Sequence, residues 1–214
     1  MNQYLITGLP RTRSAWLANL LTWGTSYCHH EASLSCRSID DLAAKLDEGG
    51  VPSGTTHAGN ADPSMPMFWR PIMDAFPNAK VVFIIRDVTE AAEAQCAASM
   101  AENIPMSQPD MLDLCRRNEA ECDAWFQALK NGQAMLIMFD DLERIRTIHA
   151  LWRFLLPDIP FPEQRANALQ LLRVTQIFRK SWAANRGESD LLAPDGRYLI
   201  EQSLGFQERE ALCQ

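Results

Sequence analysis

Four side chains with strong affinity for anion oxygens stand together near the start of this chain: Arg11, Thr12, Arg13 and Ser14. Two guanidiniums supply forked, permanently charged donors and two hydroxyls supply neutral ones, the types that hold phosphate or sulfate. Their flanks predict where the backbone puts them. The apolar run 4–7 ahead of Gly8 and Pro10 reads as a strand, and Trp16, Leu17, Leu20 and Leu21 behind them fall on one side of a helix. A turn between a buried strand and the first turn of a helix aims free amides outward, and the helix dipole adds partial positive charge there. Such a turn can hold an anion. An ordinary strand-to-helix turn with solvated arginines has the same composition, so the residues alone leave both readings open.

A second cation, Arg86, follows the β-branched run 80–85, and in a parallel sheet the carboxyl ends of neighbouring strands open on one crevice. Three side chains could take up a proton beside such a crevice. Glu31 lies twenty positions after Arg11, at the end of a second strand over 25–30, with His30 next to it; His57 follows Thr56 in a loop-rich passage with a short strand over 55–57. Glu31 could equally cap the segment after it. Cys28, His29, His30 and Glu31 have the chemistry of metal ligands, but neighbours on a strand point to opposite faces, so no metal site is expected of them.

The first loop does not have the spacing of a Walker-type nucleotide site, because no second glycine follows Gly8 within five positions and no lysine precedes Ser14. It resembles instead the loop by which sulfotransferases bind the 5′-phosphosulfate of 3′-phosphoadenosine 5′-phosphosulfate (PAPS). Pro10, Arg11, Thr12, Ser14, Trp16 and Leu17 fit that family's pattern, while Arg13 stands where the family usually has glycine and Ala15 where it often has a hydroxyl. Arg86 resembles the arginine that binds the 3′-phosphate; Val88 replaces the proline that usually follows, and Ala94 the serine eight positions on. Phe139-Asp140-Asp141-Leu142 and Phe154-Leu155 are similar to a further strand-to-helix junction of the family, and Phe178 to Ser181 faintly to a later basic passage.

The resemblance implies a three-layer α/β/α fold of the P-loop type with a mostly parallel sheet. It also implies transfer of a sulfuryl group from PAPS to a hydroxyl or amine, with no metal. The cofactor would be held by residues 10–16 and Arg86. Arg11 would stabilise charge, and Glu31, His30 or His57 would be the base. The acceptor would be a small molecule or a glycan. Two other readings stay open: a P-loop nucleotide-binding protein such as a small-molecule kinase, and a sulfotransferase-fold binding protein without catalysis.

The remaining composition sets bounds. With 214 residues the chain suits one α/β domain, 1–214, and its 47% hydrophobic and 22% charged residues are ordinary for a globular protein. A net charge of −7 gives no basic footprint for nucleic acid, so an anionic ligand needs a local positive pocket. No leader or membrane-length apolar stretch stands out, and six cysteines without close spacing predict reduced thiols in the cytoplasm. Apolar periodicity predicts further helices over 37–46, 65–76, 89–100, 109–130 and 163–173. It predicts a buried strand over 134–139 whose aspartates cap the next helix, and a terminal helix within 189–214.

Overall fold

The computed structural model describes residues 1–171, with 102, 103 and 105 excepted. Its strands are β1 (Asn2–Gly8), β2 (Ser26–His30), β3 (His57–Ala61), β4 (Lys80–Ile85) and β5 (Ala134–Met138). They form one sheet in the order β2-β3-β1-β4-β5, and every pairing is parallel. Parallel neighbours need crossover connections, so Gly8, His30, Ala61, Ile85 and Met138 all end on the same edge of the sheet. The helices are α1 (Ser14–Leu21), α2 (Ile39–Lys45), α3 (Trp69–Ala75), α4 (Val88–Ala101), α5 (Gln108–Ala128), α6 (Ile145–Leu155) and α7 (Glu163–Leu171).

The alternation of side chains along each strand divides the core in two. Tyr4, Ile6, Val82, Ile84 and Ile137 face α1, α6 and α7 and pack on Leu17, Leu20, Leu151 and Trp152. Leu5, Ala58, Val81 and Phe83 face the other way, onto Leu42, Ile72 and Trp125 from α2, α3 and α5. Three layers follow, as the fold expectation required.

Two strands differ from their sequence signals. The short strand expected over 55–57 instead starts at His57 and runs to Ala61 through Ala58, Gly59 and Asn60, residues with little β-propensity. Position overrides propensity here, because β3 is hydrogen-bonded on both sides by β1 and β2. Gly59 is required: a Cβ there would sit inside the ring of Tyr4, which lies across β3 to meet the Ser26 hydroxyl at 3.0 Å. Strand β5, expected to be buried, is the edge strand, and only Ile137 is buried while Leu136 and Met138 stay half exposed.

Asp140 and Asp141 do not cap α6. They lie in the 3₁₀ turn Phe139–Glu143, and the residue before α6, Arg144, donates its amide to the Asp141 carbonyl at 3.0 Å. Among the described residues no helix is long and apolar enough to cross a membrane. Among the described residues five cysteines are free thiols, and burial pushes Cys28 and Cys122 up to about 12, which disfavours their thiolates. Cys213, the 178–181 passage with Arg179 and Lys180, and the helix expected within 189–214 lie outside the described residues.

Candidate active site

The loop from Leu9 to Arg13 leaves β1 at the carboxyl edge and enters α1 without a side-chain cap. The first amides of a helix have no intrahelical acceptor, so those of Ser14, Ala15 and Trp16 are left for a ligand. Arg11 and Arg13 both adopt the left-handed conformation, each with φ 63. For a residue with a Cβ this costs about 1–2 kcal/mol, and the surrounding contacts maintain it. The Arg11 carbonyl accepts from Arg86 Nη1 at 2.8 Å. Arg13 pairs with Glu143 at 3.0 Å, and its guanidinium lies 4.8 Å from the centre of the Phe139 ring. Arg13 therefore holds a conformation that glycine, the residue usual at this point in the resembled loop, would adopt without strain. Its charge, however, is engaged by Glu143. Among the described residues no acceptor meets the Arg11 guanidinium.

The hydroxyls divide. Thr12 is buried and turns back to the Leu9 carbonyl at 2.8 Å, closing the loop rather than facing a ligand. Ser14 Oγ stays at the surface of the site and meets His30 Nε2 at 3.1 Å, and the same nitrogen lies 3.4 Å from Glu31 Oε1. Trp16 is core: its indole N–H donates to the Leu169 carbonyl at 2.8 Å and ties α1 to α7. Arg86, at the end of β4, sets its guanidinium over Phe139, 4.3 Å from the ring centre, and its Nε is buried without a hydrogen-bond partner, 3.8 Å from Glu90. Gln95, the residue after Ala94, donates to Ser99 at 3.3 Å. Ser99 itself stands roughly 16 Å along α4 from Val88, too far to share a phosphate with Arg86.

His30 and His29 diverge as strand alternation demands: His29 Nε2 lies 3.0 Å from the Lys45 carbonyl, on the other face from Ser14. Among the described residues no group of three potential metal ligands converges. Strand β2 is not the neighbour of β1, since β3 lies between them, yet its carboxyl end still reaches the loop through His30.

His57 is not brought to the loop. As the first residue of β3 it pairs with Asn2 and Ser26 at the amino edge of the sheet, the far end from Gly8. Both ring nitrogens are engaged, Nδ1 by the Thr56 hydroxyl at 3.0 Å and Nε2 by Asn2 Nδ2 at 3.2 Å, beside a cavity of about 340 Å³. Burial lowers its pKa below 6.5; Asp158 opposes this and Lys80 adds to it. With the folded-state pKa depressed, the unfolded chain binds the extra proton. The stability His57 contributes is therefore complete above about pH 6.5 and lost as pH falls through the folded value. Urea midpoints measured from pH 7.5 to 5 are expected to fall less in His57→Gln than in the wild type; equal slopes would remove His57 from this account.

Several residues at the site carried no signal that was read in the sequence. Asn60 and Asp62, both wholly buried, accept from the amides of Ala32 and Ser33 at 3.1 and 3.2 Å. Their spacing of two on one strand face, within small residues, was the available cue. Phe139 and Glu143 become site residues only because β5 ends beside the loop.

A profile described as "Sulfotransferase family" matches residues 28–163, more than half of the chain. The chain belongs to the sulfotransferase family. The match begins after the loop between β1 and α1. No curated protein is detectably similar in sequence. Among solved structures, a sulfotransferase from Alicyclobacillus acidocaldarius superposes on this family member with a TM-score of 0.60 at 16% identity, over 84% of this chain and 96% of its own. The sulfotransferase domain from the curacin biosynthetic pathway gives 0.55 at 13%, over 76% of each chain. A mouse sulfotransferase in complex with PAP gives 0.57 at 11%, over 80% of this chain and 63% of its own. At these identities the likeness is one of fold, and the fold is that of the sulfotransferases.

Proposed function

We propose that this chain is a PAPS-dependent sulfotransferase that moves a sulfuryl group to a hydroxyl or amine of a small-molecule or glycan acceptor by in-line displacement. We read residues 1–214 as one domain working in the reducing cytoplasm, in keeping with the free thiols. The observation that carries the reading is the polar chain from Glu31 through His30 to Ser14, which ends at the uncapped start of α1. A carboxylate and the hydroxyl at the start of α1 thus meet at one imidazole nitrogen, His30 Nε2.

The donors suit a nucleotide with phosphates at two places. The first-turn amides, Arg11 and Ser14 fit the 5′ end, and Arg86, whose buried Nε lacks a hydrogen-bond partner, fits the 3′-phosphate. The PAP held by the mouse neighbour is PAPS without its sulfuryl group. When bound, PAPS supplies a sulfuryl group already activated by its bond to phosphate. Arg11 and the loop amides stabilise negative charge on the oxygens around the transferring group. Glu31 takes the proton from the acceptor, and His30, held by Ser14, keeps the Glu31 carboxylate turned to the crevice. His57, at the other end of the sheet, has no part in this.

Calorimetric titration with adenosine 3′,5′-bisphosphate, in the presence of a chelator, tests the reading against magnesium–ATP. Metal-independent binding of the bisphosphate, tighter than that of ATP, is expected. A preference for magnesium–ATP would assign the site to a nucleotide-binding protein such as a small-molecule kinase, and binding of neither would leave a fold without its donor.

A further inference from the structure

We infer that Asp62 is the positioning residue that sets Glu31 and His30 against the loop between β1 and α1, an inference that rests on reading that site as a sulfotransferase centre. Asp62 follows the last residue of β3 at the carboxyl edge and is wholly buried. Its carboxylate gathers donors from two separate turns. Ser33, in the 3₁₀ turn Ala32–Ser35, gives its amide at 3.2 Å and also its hydroxyl. Ser64 gives its amide at 2.8 Å and its hydroxyl at 2.5 Å, and Asn60 adds a long contact at 3.5 Å. The Asp62 amide donates to the Ile6 carbonyl at 2.9 Å, and its carbonyl accepts from Thr7 Oγ1 at 2.9 Å. One residue therefore ties the end of β1, where the anion loop starts, to the turn that carries Glu31.

Glu31 needs that tie. It sits in the left-handed region with φ 54, and three successive amides fix the turn around it: Glu31 on the Ala61 carbonyl at 3.1 Å, Ala32 on Asn60 Oδ1 at 3.1 Å, and Ser33 on Asp62 Oδ2 at 3.2 Å. A conformation of this kind persists only where its surroundings over-determine it. A buried carboxylate is costly compared with an apolar side chain of the same size and survives where its lone pairs are used, so its work is cross-linking the turns rather than filling space. Without it the turn is free to relax to negative φ, which carries the Glu31 carboxylate away from His30 Nε2, 3.4 Å distant.

The test needs no acceptor. The protein has four histidines, and their NMR titrations are compared in wild type, Glu31→Gln and Asp62→Asn, with His30 assigned by His30→Gln. Losing a neighbouring carboxylate lowers an imidazole's pKa, so Asp62→Asn is expected to lower that of His30 by about 1 unit. Glu31→Gln gives the same shift, and His57, at the other edge of the sheet, keeps its titration. The asparagine offers an N–H where one of the two serine turns already points its donors, so it can hold only one of the turns and parts the tie between them without changing volume. A wild-type His30 titration in Asp62→Asn, with the shift present in Glu31→Gln, overturns the proposal. So does the lack of a shift in Glu31→Gln. If Asp62→Asn does not fold, Ser33→Ala, which removes one hydroxyl from the tie, is read in the same way: a lowered His30 supports the proposal and an unchanged one overturns it. Failure of the wild type to bind adenosine 3′,5′-bisphosphate would strike the sulfotransferase reading and leave the coupling between Asp62 and His30 measurable.

Discussion

Arg86→Ala is expected to weaken binding of adenosine 3′,5′-bisphosphate about a hundredfold. Two losses combine. The guanidinium's contact with a phosphate is charge-assisted and contributes about 1.5–3 kcal/mol. Its Nη1 also holds the Arg11 carbonyl at 2.8 Å, and that bond, about 0.5–1.5 kcal/mol, keeps the loop on its left-handed path. Arg86→Lys keeps the charge but has no planar fork to lie on Phe139 at 4.3 Å while bonding the loop, so it is expected to recover only part of the affinity. Calorimetry on the three proteins gives the result directly. An unchanged dissociation constant in Arg86→Ala would mean that the 3′-phosphate is held elsewhere and would remove Arg86 from the site.

The second large effect is on stability. Gly8→Ala is expected to cost roughly 3–5 kcal/mol, a large part of a domain's total. Gly8 has φ 153, and a Cβ there would press into the carbonyl oxygen of Ile84 on β4, a backbone atom held by the sheet. Relief would have to come from parting β1 and β4, the centre of the sheet and the base of the anion loop. Gly49→Ala is the control, since a Cβ at that exposed position meets nothing within 4 Å. Denaturant midpoints of the two variants should differ accordingly; equal midpoints would show that the β1 terminus yields easily, against the close approach of the two strands.

Much of this was legible in the chain itself. The run 80–85 is a strand at those limits because β-branched residues buried on both faces leave no other reading, and Trp16, Leu17, Leu20 and Leu21 mark the buried face of α1. The clustering of Arg11, Thr12, Arg13 and Ser14 located the loop. What each of these side chains does was not legible. Thr12 and Ser14 have the same hydroxyl and the same sequence neighbourhood, yet one closes the loop inward and the other meets His30. The indole of Trp16 is spent on α7, and Arg13 on Glu143, 130 residues away. His57 resembled a base only while β3 was expected to end at it rather than begin there.

Local chemistry and periodicity, written in the sequence, thus marked the turn between β1 and α1 and the strand ends around it, with Glu31 and His30 at one of them, and the motifs that resemble the sulfotransferases implied the fold class. Only the tertiary structure decided that β3 inserts between β1 and β2, which put His57 at the far edge and brought Asn60 and Asp62 under the Glu31 turn. The physical reason is that strand order and register are settled by the packing of the whole sheet. Ala58, Gly59 and Asn60 form a central strand because β1 and β2 supply their hydrogen bonds and Tyr4 needs the space above Gly59, and no stretch of residues 57–61 read by itself contains that information.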